Sequence, residues 1–220
     1  MTLSDRNDSM TANKPKVLIA FYSRGGTVEG LAREIAAGAT ENGAEVRMRR
    51  ARELVGEEVM KLAPGWIENA ARMNADYEAP TVADAEWCDA MVLGAPTRFG
   101  AAASELRAYL ETLGALWVTR KLMNKVGSAF SSSSVPHGGV ETTILSLYPT
   151  LAHLGLVIVP TGYGDDVLFS AGTPYGASAN SYAAKKLPPT ENDLAVARYQ
   201  GRRIADVTRA LAQMRAAAAG

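Results

Sequence analysis

The chain has 220 residues, 47% of them hydrophobic, with 23 lysines and arginines against 23 aspartates and glutamates. It is long enough for one well-buried domain, and its neutral balance argues against both a dedicated nucleic-acid surface and the strongly acidic face of a small electron carrier. The single cysteine, Cys88, rules out an internal disulfide framework and suits a reducing, cytoplasmic compartment, and no apolar stretch is long enough to span a membrane.

Residues Met1 to Lys14 are polar, lack the apolar core of a signal peptide and read as a disordered tail, which leaves a single domain over residues 15–217. The first apolar run, Val17 to Tyr22, reads as a strand and leads through SRGGT into a helical pattern at Thr27 to Glu41. A second strand at Ala44 to Met48 runs into the basic cluster Arg47, Arg49, Arg50 and Arg52, whose simplest reading is a solvated strand end. From Glu53 to Glu86 no strand is evident, and Trp66, Met73 and Tyr77 are explained there as residues buried at a subunit contact. Then follow a strand at Ala90 to Leu93, a loop GAPTRFG at Gly94 to Gly100 and a helix at Ala102 to Leu113.

The next strand, Val126 to Phe130, is followed by Ser131 to Gly139, too polar to continue it, and by a helix from Gly139 to Leu154. A strand at Leu156 to Pro160 precedes a long segment, Thr161 to Pro189, rich in Gly, Ser, Tyr and Pro. The final helix, Glu191 to about Arg215, opens with a capping-box pattern of Thr190 and Asp193, and Leu194, Ala197, Gly201, Ile204, Thr208 and Leu211 repeat on one face that turns toward the sheet. Short, non-alternating strands are covered on both faces, and strands that alternate with helices build a doubly wound α/β sandwich.

Ligands of such sheets bind outside the carboxyl ends of the strands, where three loops converge. The first, Ser23 to Thr27, has two hydroxyls and the flexible pair Gly25-Gly26 at a helix start, which suits a phosphate as well as it suits an ordinary capped turn. In the second, Thr97, Arg98 and Phe99 offer backbone groups, a cation and an aromatic face to a flat heteroaromatic ring; the alternative is a core Phe99 and a solvated Arg98. The third, with four serines and His137-Gly138-Gly139, suits closure over a ribityl chain and ring; the alternative is a flexible serine linker, disfavoured by its place between a strand and a helix. Neither GxxxxGK[ST] nor GxGxxG follows the first strand, no G-x-S-x-G elbow exists, and two histidines with one cysteine make no metal-ligand pattern. His153 reads as a helix C-terminal residue, and Cys88 as a small packing residue.

The segments KVLIAFYSRGG, GAPTRFG, Leu116-Trp117, HGGVETT, TLAHLGLVIVP, GTPYGAS and ARYQG, spread from Lys16 to Gly201, resemble the WrbA family of flavodoxin-like NAD(P)H:quinone oxidoreductases. The resemblance implies a three-layer sandwich with a five-stranded parallel sheet of order 2-1-3-4-5, helices on both faces, and FMN bound without a covalent link. It implies two-electron, ping-pong reduction of quinones by NADH or NADPH, with hydride passing through the flavin N5 and with protection against free semiquinones and oxidative stress. A homotetramer built as a dimer of dimers is implied as well.

Carried over by motif, Ser23, Arg24, Gly25, Gly26, Thr27 and Val28 hold the FMN phosphate, and Pro96, Thr97, Arg98, Phe99 and Gly100 the ring. Ser132, Ser133, Ser134, His137 and Gly138 flank the ribityl chain and ring edge, His153 is a further flavin contact and the one candidate proton donor, and Trp117 lines the quinone pocket. The chain departs from the family at Gly25, where an aromatic residue associated with the nicotinamide nucleotide is common, and in its longer serine run. Two other functions compete with this one: a flavin-binding electron carrier, disfavoured by the neutral charge, and a regulatory module acting through a protein partner, for which the sequence holds no basic stripe or DNA-binding feature.

Overall fold

The computed structural model describes residues 14–182, 185 and 187–219, so the expected tail lies outside the described residues except for Lys14. Its strands are β1 (Lys16–Phe21), β2 (Glu45–Arg50), β3 (Ala90–Arg98), β4 (Ala101–Ala102), β5 (Val126–Ser133), β6 (Val157–Ile158) and β7 (Ser178–Asn180). The sheet runs β2-β1-β3-β5-β6, all parallel, while β4 folds back antiparallel on β3 and β7 pairs parallel with β5. Setting aside the two-residue β4, this is the expected order 2-1-3-4-5 of a flavodoxin-like sandwich. Because β6 pairs with the start of β5 and β7 with its end, the fifth strand is interrupted by an excursion between them.

The helices are α1 (Thr27–Glu41), α2 (Glu57–Met60), α3 (Trp66–Asp76), α4 (Val82–Trp87), α5 (Ser104–Glu111), α6 (Gly114–Val118), α7 (Val140–His153) and α8 (Glu191–Ala219). Alternation along β1 divides the core. Val17, Ile19 and Phe21 pack with Leu31 and Ile35 of α1 and Ala197 and Ile204 of α8, while Leu18, Ala20 and Tyr22 pack with Leu106 of α5 and Ile144 and Leu147 of α7. The capping box at α8 is formed, with Thr190 N–H on Asp193 Oδ2 at 2.9 Å and Asp193 N–H on Thr190 Oγ1 at 3.2 Å. The small-residue face of α8 meets α1 as well as the sheet: a Cβ on Gly201 would lie 2.1 Å from the Ile35 carbonyl, and one on Gly38 2.0 Å from that of Arg198. Only hydrogen at both positions lets the two helices come this close.

Four expectations are corrected. Glu53 to Glu86 forms α2, α3 and α4, and its large residues are buried within the chain: Met73 is fully buried, Trp66 packs with Met60 and Ala70, and Tyr77 meets Phe21 edge-on at 5.2 Å. The strand read as Ala90 to Leu93 continues to Arg98, because the β4 hairpin and β5 pair its far end. Ser131 to Ser133 belong to β5, since flanking strands supply backbone partners and the Ser131 hydroxyl donates to the Ala95 carbonyl at 2.8 Å. The basic cluster is no solvated strand end, because the Arg50 guanidinium is fully buried, and Arg47 and Arg49 both bridge to the buried Asp84. Cys88 is a packing residue as expected, its thiol pushed up to about 12 by burial. Among the described residues no helix is long and apolar enough to cross a membrane, and no His, Cys, Asp and Glu cluster could hold a metal ion.

Candidate functional site

The carboxyl ends of β1, β3 and β5 open onto a cleft of about 260 Å³ lined by Ser23, Arg24, Gly25, Thr27, Val28, Pro96, Thr97, Arg98, Ser132, Ser133 and Ser134, together with Ala63, Pro64, Trp66, Asn69 and Ser181. The three loops singled out in the sequence therefore converge. The wall from residues 63–69 did not announce itself there, because α3 reaches the cleft through tertiary packing and no local motif marks it.

The first loop is shaped by its own hydroxyl. Ser23 Oγ accepts from the N–H groups of Gly26 at 3.1 Å and Glu29 at 3.4 Å, and Gly26 turns the chain into α1 at φ 96°. The first four N–H groups of a helix lack intrahelical partners. Those of Thr27 and Val28, both lining the cleft, have no acceptor among the described residues. Glu29 would oppose an anion here, but it is already neutralised. Burial pushes its carboxyl up, yet hydrogen bonds from Arg72, Arg33 and Tyr77 outweigh this and hold it below its usual range.

A second buried pair fixes the loop from below. Arg50 donates from Nη2 to the Ser23 carbonyl at 3.0 Å and from Nη1 to Asn74 Oδ1 at 2.6 Å, and it forms an ion pair with Glu53. Trp66 Nε1 donates to the same Glu53 at 3.3 Å. Burial raises the Glu53 carboxyl, but the hydrogen bond and charge of Arg50 bring it below the ordinary value. The pair thus ties the β1 loop to the α3 wall.

Two cations face the cleft without a carboxylate within 4 Å among the described residues: Arg24, its Cζ 4.7 Å above the Trp66 ring, and Arg98. Burial, then the like charge of Arg24, lowers the Arg98 pKa, so an anion between them is favoured. On the opposite wall Ser133 Oγ stands between two acceptors, the Val135 carbonyl and Asn180 Oδ1 at 2.6 Å, which share its one proton and link β5 to β7, whereas the hydroxyls of Ser132 and Ser134 have no partner among the described residues. Free N–H groups at a helix start, two guanidiniums without a carboxylate partner and two free hydroxyls fit a phosphorylated, polyhydroxylated ligand with a planar ring, as FMN is.

Other expected site residues stand outside this cleft. Phe99 is fully exposed at φ 53°, neither core nor cleft wall, and Gly100 follows it in the turn to β4 with its N–H on Thr97 Oγ1 at 3.2 Å. His137 lines a neighbouring open cavity of about 790 Å³, and Gly138 packs on Ser133. His153 ends α7 beside the amino end of the sheet, where Leu151 meets Gly127 at the start of β5, and Trp117 in α6 is 56% exposed. Neither lines the cleft of its own chain, because α6 and α7 both run toward the start of a strand.

Residues 15–165 match a family described as NADPH-dependent FMN reductase. A protein of Deinococcus radiodurans named NAD(P)H dehydrogenase (quinone) is 44% identical over 194 residues, covering 88% of this chain and 95% of the relative. One of the same name from Geotalea uraniireducens is 40% identical over 206 residues, covering 90% and 100%. Among solved structures, a flavodoxin, WrbA-like protein from Agrobacterium tumefaciens aligns with a TM-score of 0.63 at 21% identity, over 90% of this chain and 99% of that one.

Proposed function

The chain belongs to the NADPH-dependent FMN reductase family, and on that premise we propose that it is an FMN-dependent NAD(P)H:quinone oxidoreductase. The observation that carries this reading is the cleft, where a helix start with unsatisfied N–H groups stands beside two guanidiniums that lack carboxylate partners. The Ser23 to Val28 loop holds the FMN phosphate, Pro96, Thr97 and Arg98 adjoin the ring, and Ser132 and Ser134 offer hydroxyls to the ribityl chain. Bound FMN supplies two-electron hydride chemistry, taking reducing equivalents from NADH or NADPH and passing them to a quinone. The residues of the chain bind and orient, and the cleft supplies no buried acid or base of its own among its lining residues.

Reductant and quinone use the cleft in turn, and two-electron delivery protects the cell from one-electron quinone products. A homotetramer is part of the proposal. Trp117, Val118, Met123 and Val157 are exposed apolar side chains available to such an assembly, which would bring Trp117 and His153 of neighbouring copies to clefts that they do not line in their own chain. Phe99, Gly100, His137 and Gly138 then border the flavin from the rim. A cytoplasmic location belongs to the same reading, because the buried free thiol suits a reducing compartment.

Oxidation of NADH by FMN-loaded protein with benzoquinone, each varied against the other, is expected to give parallel double-reciprocal lines. Intersecting lines would mean that both substrates bind together, and absence of turnover with stoichiometric FMN would overturn the activity. Light scattering is expected to give four times the chain mass of 23.3 kDa.

A further inference from the structure

Resting on the quinone-reductase reading, we propose that the segment from Leu54 to Leu62 is a seat for the hydrocarbon tail of a lipophilic quinone. The acceptor class is then alkyl- or prenyl-substituted quinones. The segment runs directly into Ala63, Pro64 and Trp66 of the cleft wall. Met60 is buried against Trp66 and Ala70 and anchors α2 to α3, which turns the remaining apolar side chains outward. Leu54 is 58% exposed, Val55 37%, Val59 45% and Leu62 82%.

Apolar side chains scattered singly over a surface need no explanation, but this run is joined to the cleft wall at both ends, Leu54 following Glu53, which accepts from Trp66 Nε1 at 3.3 Å, and Leu62 preceding Ala63, so that it flanks the mouth of the cleft as a lip. Of the three charges of the segment, Lys61 is paired with Glu58 at 2.8 Å, and Glu57 at the start of α2 is left as a single charge, too few to make an ionic docking face. The cleft has polar groups at Ser23, Thr27, Arg98, Ser132 and Ser134 and apolar ones at Val28, Ala63, Pro64, Trp66 and Pro96, and the exposed apolar run continues the Ala63 to Trp66 wall outward, where it suits a chain of methylenes. Continuity with the cleft is what assigns the lip to a substrate tail, since the quinone ring and its tail are one molecule.

The test uses FMN-loaded protein, saturating NADH and 1,4-benzoquinones carrying no tail, a butyl chain or a decyl chain. In the wild type kcat/KM is expected to rise at least about tenfold from no tail to decyl, and in Leu54→Ser/Leu62→Ser this rise is expected to shrink to less than about threefold. A rise of equal size in both proteins, or none in the wild type, would overturn the seat. Equilibrium dialysis against 2-decyl-1,4-benzoquinone reads the same difference without turnover. Protein that binds the decyl compound through these leucines but does not reduce it refutes the reductase reading and leaves the seat standing; turnover without tail dependence does the reverse. A lower mass by light scattering in the double variant, with tail dependence unchanged, would assign the lip to a contact between copies and also overturn the seat.

Discussion

On the β1 side of the cleft the wall hangs on buried charge, with Arg50 and Glu53 under Ser23 and Glu29 beneath Arg72, Arg33 and Tyr77. On the β5 side it hangs on neutral groups: Ser131 on the Ala95 carbonyl, Ser133 on Asn180, and Ser128 with Gln200. A charged network is costly to assemble and costlier to break, because the surviving partner is left ionised and dry, whereas a lost neutral hydrogen bond strands a single dipole. The two walls of one site should therefore fail differently, in size and in pH dependence.

The largest difference is expected at Arg50. Arg50→Met leaves Glu53 buried and unpaired and frees the Ser23 carbonyl, and should cost about 3–5 kcal/mol in urea unfolding. Arg50→Met/Glu53→Leu should recover part of that loss, since no lone charge remains. A single-variant cost below about 1 kcal/mol would show that water reaches the pair and that the contrast between the walls is wrong.

Glu29→Gln should cost less, about 1–2 kcal/mol, because Arg33 and Arg72 are half-exposed and can be rehydrated. Its diagnostic effect is on pH dependence. The folded-state pKa of Glu29 is lowered, so its stabilisation is complete above the ordinary carboxylate value of about 4.3 and is lost as pH falls through the folded value, the unfolded chain taking up the proton first. Glu53 and Asp84 act with the same sign. Unfolding midpoints between pH 7 and pH 3 should therefore fall on the acid side in the wild type, and less steeply in Glu29→Gln. Equal slopes would mean that Glu29 titrates alike in both states.

The same contrast decided what could be read in the sequence. The neutral wall is built from a contiguous run, Ser131 to Ser134, and the three loops follow apolar strands, so the strands and the loops that carry Ser23, Thr97, Arg98 and Ser132 are legible from periodicity, and the strand order from the family resemblance. The charged wall is not. Arg50 meets Asn74 and Glu29 meets Arg72 across 24 and 43 residues, spacings that no local pattern encodes. An arginine cluster in sequence looks solvated until its carboxylate partners are known, and Trp66 looks like interface material until Glu53 is found beneath its indole. The extent of β3 and β5 was missed because Pro96 and the serines are poor strand formers, and cross-strand pairing overrides that preference.

The smallest effect belongs to the neutral wall. Ser133→Ala removes a hydroxyl that Asn180 Oδ1 and the Val135 carbonyl share and that accepts from the Val135 N–H, which should cost about 0.5–1.5 kcal/mol, with the loss equal at pH 4 and pH 7 because no titrating group is involved. FMN affinity, followed by quenching of flavin fluorescence, should fall modestly, since the hydroxyl adds to the backbone pairing of β5 with β7 at the strand end that presents Ser132 and Ser134 to the cleft. A stability loss that grows toward acid pH would mean that the β5 wall depends on a carboxylate, and the division of the cleft into a charged and a neutral wall would then fail.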